Sequence, residues 1–176
     1  MKKYSTQIIV VAIILVALVG IWFYVLGGDT SVAATTADGS FTVTLSVRCD
    51  TLLDNMHMLD REKHELVPAD GVIFPETLVI VNENENVFDV LQREMRNAGI
   101  HMAFRWTPVF DSVYIEAINN LYEFDAGPLS GWMYRVNNGI PGFGASMYAL
   151  EPGDKIEWLY TIDLGRDLEE SGFSNG

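Results

Sequence analysis

The side chains of this chain that could make or break a covalent bond are few and badly placed for it. They comprise three histidines (His57, His64 and His101), a single cysteine, Cys49, and 24 acidic residues. A hydrolase needs a nucleophile beside a base. The spacings that announce one are missing: no HExxH, CxxC, GxSxG or phosphate-cradling glycine loop occurs. Ser130 stands in Pro128-Leu129-Ser130-Gly131-Trp132, without the first glycine of a nucleophile elbow. A Cys49 and His57 dyad is conceivable. However, Cys49 closes the alternation Phe41, Val43, Leu45, Val47, Cys49, which turns it inward, where cysteine acts as a small hydrophobe. Oxygen ligands cluster at Asp50–Asn55 and Asn82–Asn86, but neither run has the spacing of a calcium-binding EF-hand loop. These residues predict a protein that is not an enzyme and has no assigned metal ligand.

Non-covalent binding is better provided for. The segment from Gly127 to Tyr148 combines Trp132, Tyr134 and Phe143 with five glycines and the amides of Asn137 and Asn138. Aromatic rings offer flat apolar contact, and glycine lets backbone approach a ligand closely. Ligand contact is therefore expected at Trp132, Tyr134, Asn137, Phe143 and Tyr148. A strand-and-hairpin core would use the same residue types. In a strand Trp132, Tyr134 and Val136 share one side and Met133 and Arg135 the other. If the Trp132 side faces the core, Phe143 between Gly142 and Gly144 is the aromatic left for a ligand.

The elements that must position this segment follow from periodicity. Strict alternation predicts a first strand at Phe41–Arg48. The polar stretch 50–65 has no clean period and is expected to be an ordered loop or a short hairpin. A second strand is expected at Glu76–Val81. A helix follows at Val87–Ala98, with Asn86 as N-cap, Asp89 at its third position and Gly99 as a left-handed stop. Strands are expected at His101–Trp106, Ser112–Ala117, Trp132–Val136 (closed by the Asn137-Asn138-Gly139 turn) and Lys155–Ile162. One amphipathic helix among five or more strands indicates α+β, the helix covering one face of a mixed sheet.

The N-terminus sets the compartment. Lys2 and Lys3 lie in a basic stretch, 1–7, ahead of an uninterrupted apolar run, 8–26. As a helix that run would span roughly 28 Å, close to the ~30 Å hydrocarbon core of a bilayer. The positive-inside bias leaves 1–7 in the cytoplasm and the rest of a single-pass protein outside the cell membrane. Cleavage as a secretory signal after Val32-Ala33-Ala34 is the competing reading, and it too exports the domain. Residues 27–39 read as a flexible spacer. Without Lys2 and Lys3 there are 9 basic against 24 acidic residues, about −15 in charge, which excludes a phosphate backbone as partner. One cysteine permits no intramolecular disulfide.

The run SGWMYRVNNGIPGFGASMYALEPGDKIEWLYTIDLGRD, Ser130 to Asp167, resembles the hallmark of the transcobalamin-like C-terminal domain family, found in bacterial surface proteins. FTVTLSVRCDTLLDN, LVPADGVIF, NVFDVLQREM and YIEAINNLYEFDAG agree as well. The resemblance covers residues 40–168, leaving a tail at 169–176. It implies a β-grasp-like module in which a sheet wraps one helix, similar to the smaller domain of transcobalamin and intrinsic factor. In those carriers that domain closes over cobalamin together with a larger helical domain, which is not read in this sequence. Cysteines of many family members fall here on Ala126, Ala145 and Ile162, so the resemblance does not carry over disulfide stapling. What it implies is a membrane-tethered, extracytoplasmic module for a corrinoid such as cobalamin or another partly apolar small molecule. The alternative is a cell-surface structural domain, or one that binds a protein or glycan partner.

Overall fold

The computed structural model describes residues 39–170. The expected membrane span 8–26, the basic stretch before it, all but the end of the spacer and residues 171–176 lie outside the described residues. Among the described residues no helix is long and apolar enough to cross a membrane.

The alternating pattern of the first strand, β1 (Phe41–Arg48), buries Val43, Leu45 and Val47, with Cys49 continuing the same inward row. Such a strand belongs inside a sheet, and β1 has a neighbour on each side. It pairs antiparallel with β2 (Val72–Val81) and parallel with the last strand, β7 (Lys155–Thr161). A parallel pair needs a crossover; here everything between β1 and β7 provides it. The sheet is completed by β6 (Gly131–Val136), antiparallel to β7, in the order β2-β1-β7-β6. Because β2 is an edge, it tolerates Pro75 in its interior. That proline hid the first half of β2 from sequence reading, which began the strand at Glu76.

The helix, α1 (Val87–Ala98), has the expected bounds. The Asn86 side chain accepts from the Asp89 N–H at 3.0 Å, and Asp89 accepts from the Asn86 N–H at 3.2 Å. Gly99 ends it at φ 70°. Val87, Val90, Leu91 and Met95 are fully buried and join β1, β2, β6 and β7 in one core.

Where a single mixed sheet was expected, the strands form two. β3 (Met102–Thr107), β4 (Ser112–Ile118) and β5 (Leu121–Tyr122) make a separate antiparallel sheet. The tight turn Asn119-Asn120, both residues at positive φ, folds β5 back on β4. Side chains then connect the sheets: the Trp132 indole N–H donates to the Leu121 carbonyl at 2.8 Å, and the Tyr160 hydroxyl to the Tyr122 carbonyl at 2.7 Å. Residues 50–66 form three short 3-10 turns, an ordered loop and not a hairpin, around the buried Leu52 and Leu59. A second helix, α2 (Arg166–Glu170), closes the described chain.

Candidate functional site

β6 is the outer strand of its sheet, and among the described residues no strand pairs with its second edge. The Asn137 N–H donates to the Lys155 carbonyl at 3.0 Å, which fixes the alternation along the strand. Gly131, Met133 and Arg135 aim their backbone groups at β7, and Trp132, Tyr134 and Val136 aim theirs outward. The outward N–H of Val136 is used by the Gly139 carbonyl at 2.9 Å. The outward N–H and C=O groups of Trp132 and Tyr134 meet no partner strand among the described residues.

Along this edge runs an apolar groove of about 330 Å³. β6 contributes Trp132, Met133 and Tyr134. The β5–β6 loop supplies Phe124 and Leu129, the loop after the Asn137-Asn138 turn supplies Phe143, and the stretch after β7 supplies Leu164. The polar side chains here are spent internally. Ser130 Oγ donates to the Gly127 carbonyl at 2.9 Å and accepts from the Ala126 N–H at 3.1 Å, and the Tyr114 hydroxyl donates to Glu123 at 2.5 Å. What the groove offers a ligand is mainly apolar surface, beside a strand edge.

The five residues singled out in the sequence divide. The Trp132 side faces the core: its indole is 7% exposed and meets the Tyr160 ring edge-on at 5.2 Å. Tyr134 is equally buried, donates to the Phe143 carbonyl at 2.8 Å, and has its hydroxyl pushed up to about 12 by burial and by neighbouring Tyr148, so it remains a donor at neutral pH. Both rings are thus structural, although both residues line the groove. Phe143 is 49% exposed and stacks on Tyr148 at 5.7 Å. Tyr148 backs the Phe143 ring without lining the groove. Asn137 lies at the far end of β6, where at φ 50° it makes the turn, donating to Asp154 at 2.7 Å and accepting from the Lys155 N–H at 2.9 Å.

Sequence reasoning missed Phe124 and Leu164. Both are bulky, apolar and about three-fifths exposed, and both hold a left-handed backbone, φ 68° and 51°. For such residues that conformation costs roughly 1–2 kcal/mol, and strain of this kind gathers at binding sites. Phe124→Gly is expected to relieve that strain and to cost about 0.5–1 kcal/mol in chain entropy, so that stability holds or rises slightly. Denaturant unfolding measures it; a loss above about 1 kcal/mol would assign the ring a packing role instead.

The cysteine and the oxygen-rich runs noted in the sequence are engaged locally. Burial, with Asp50 and Asp70 adding to it, pushes the Cys49 thiol up to about 12, so almost no thiolate exists at neutral pH. Glu85, in the oxygen-rich Asn82–Asn86 run, accepts from Arg93 at 2.8 and 2.9 Å and from the Asn82 N–H at 2.8 Å. Among the described residues no group of three or more His, Cys, Asp or Glu is placed to hold a metal. A depression of about 390 Å³ on the other face of the sheet is lined by charges that pair with one another, Arg48 with Asp50 at 3.0 Å and Arg135 with Glu157 at 2.8 Å.

Residues 84–161 match a domain of unknown function, DUF4430. No curated protein matches the chain. Among solved structures, the fold is similar to haptocorrin in complex with Cbi, with a TM-score of 0.53 and 16% identity over 77% of this chain. This chain spans 28% of the haptocorrin chain. A putative metal binding protein from Ruminococcus gnavus ATCC 29149 is similar with a TM-score of 0.42 and 12% identity, over 68% of this chain and 95% of its own. The likeness to haptocorrin is one of fold, and the domain match covers the helix and the strands up to the end of β7.

Proposed function

We propose that this domain is a non-catalytic binding module that seats a flat, partly apolar small molecule, of corrinoid type, in the groove along the free edge of β6. The observation that carries this reading is the pair Phe124 and Leu164, strained and solvent-facing on opposite sides of the sequence from Phe143 yet sharing one groove with it. Apolar side chains held out at a conformational cost imply a compensating contact. A corrinoid fits that lining chemically, since its macrocycle is flat and its rim carries amides that can pair with the Trp132 and Tyr134 backbone groups. The likeness to haptocorrin in complex with Cbi supports the class of ligand. The arrangement read as β-grasp-like, with α1 between two hairpins and the first and last strands parallel, supports the same family.

We further propose that the domain works outside the membrane, held by residues 8–26. Protease added to intact cells should then digest or release it; complete protection would sink the topology.

The experiment is a thermal-shift screen of the chain with cobinamide, cobalamin, calcium and cell-wall fragments. A ligand at 100 times its Kd adds about 2.7 kcal/mol of apparent stability. Corrinoids should raise Tm and calcium should not. Phe143→Ala should leave the unliganded Tm nearly unchanged and reduce the corrinoid shift, because its ring is half exposed. If Phe143→Ala unfolds the protein, or responds to every compound as the parent does, the groove is not the ligand site.

The same unpaired edge favours a second reading. An extended peptide from a surface protein could add a strand to β6, taking its affinity from main-chain hydrogen bonds. A peptide that raises Tm where corrinoids do not would select it.

A further inference from the structure

The β3–β4 hairpin ends in a tip that the groove does not use. Trp106 is 55% exposed, Val109 85% and Phe110 70%. The tip is nevertheless ordered, its turn closed by Phe110 N–H to Thr107 carbonyl at 3.1 Å and Asp111 N–H to Pro108 carbonyl at 3.4 Å. Large apolar side chains on a firm turn mark a contact surface.

Its position says what covers it. Immediately after the tip, the Ser112 Oγ lies 2.8 Å from the Ser146 Oγ, which also accepts from the Val113 N–H at 3.0 Å. Val113 is the cross-strand partner of Trp106. Ser146 and the half-exposed Met147 in turn line one depression with Gly39 and Phe41, where the chain enters the domain. The hairpin tip and the point of attachment to residues 1–38 therefore occupy the same end of the domain. Only residues 27–38 separate that entry point from residues 8–26, and a chain of that length reaches at most roughly 40 Å in any conformation, which keeps that end within that distance of whatever holds 8–26.

We propose that the tip inserts Val109 and Phe110, with Trp106 at headgroup level, into the outer leaflet of the membrane that holds residues 8–26. This rests on the tethered reading above and goes beyond it, since it fixes the orientation of the domain. Trp is favoured at membrane interfaces, and the apolar tip supplies the buried area. Charge does not drive the contact: the chain carries −13, and Asp111 lies in the tip itself. Insertion should therefore be stronger on zwitterionic than on anionic lipid at low salt, and the difference should shrink as salt screens the repulsion.

The test uses the full chain carrying Trp22→Phe, reconstituted into phosphatidylcholine vesicles with or without bromine in the upper acyl chain. Trp132 and Trp158 are buried and serve as a constant background, so the variable emission is that of Trp106. It should shift to shorter wavelength and be quenched by the brominated lipid. Val109→Ser with Phe110→Ser should abolish both effects and leave thermal unfolding unchanged. Equal emission in the two kinds of vesicle overturns the proposal. So does self-association of the parent, dispersed by the same double variant, without quenching. The tether is read separately by flotation after an alkaline wash. If the chain is stripped off, the tethered reading fails, and the tip must still be quenched by vesicles added in excess for its own proposal to stand.

Discussion

Trp132→Ala is expected to destabilise the protein by about 3–5 kcal/mol, a large part of the 5–15 kcal/mol that ordinarily separates folded from unfolded domains. The residue lies in the run where ligand contact was expected, yet its ring is committed to the core. Its indole is edge-on to Tyr160 and donates to the Leu121 carbonyl, one of the side-chain hydrogen bonds that connect the two sheets. Removing the ring leaves a cavity and loses that hydrogen bond together. Trp132→Phe separates the two, keeping most of the apolar volume while losing the hydrogen bond, and should cost less than the alanine variant. Urea unfolding measures both. A cost below about 1 kcal/mol for Trp132→Ala would contradict the burial of the ring and return it to the list of ligand contacts.

Gly144→Ala is expected to cost about 1–3 kcal/mol and to abolish ligand binding. A Cβ at this position would lie 1.7 Å from Ser112 Oγ and 2.3 Å from Ser112 Cβ. Ser112 is buried and held against Ser146, so it cannot swing aside. The backbone at Gly144 has φ −71°, so crowding and not conformational strain is the cause. The loop must back away from β4, and Phe143, its neighbour, leaves the groove with it. Adding Ser112→Gly removes the obstructing atoms and should restore part of both stability and binding, a coupling that a double-mutant cycle reads directly. Independent, additive losses would show that the loop is not seated against Ser112.

These two residues also show what was legible in the sequence. Alternation in β1 and the caps of α1 are local signals, read within a few residues, and both elements formed where they were expected. Pro75 concealed half of β2 because a proline is compatible with a strand only at an edge, and edges are not visible before the sheet is assembled. The aromatic and glycine-rich segment stands out in the sequence, but its residues serve different ends. Gly144 admits the protein's own β4 and not a ligand, and Asn137 makes a left-handed turn. Phe124 and Leu164 could not be found by pattern, because a positive φ in a bulky residue is imposed by tertiary structure against its own preference.

The central claim is that the unpaired edge of β6 is the binding site, and amide perturbation mapping with isotopically labelled chain tests it most directly. Titration with cobinamide should move the amides of Trp132, Tyr134, Phe124, Phe143 and Leu164 along a common saturable curve, and leave those of Arg48, Asp50 and Asn82–Glu85 in place. Perturbation confined to the charged depression around Arg48 and Arg135, or none at saturating ligand, would contradict the account.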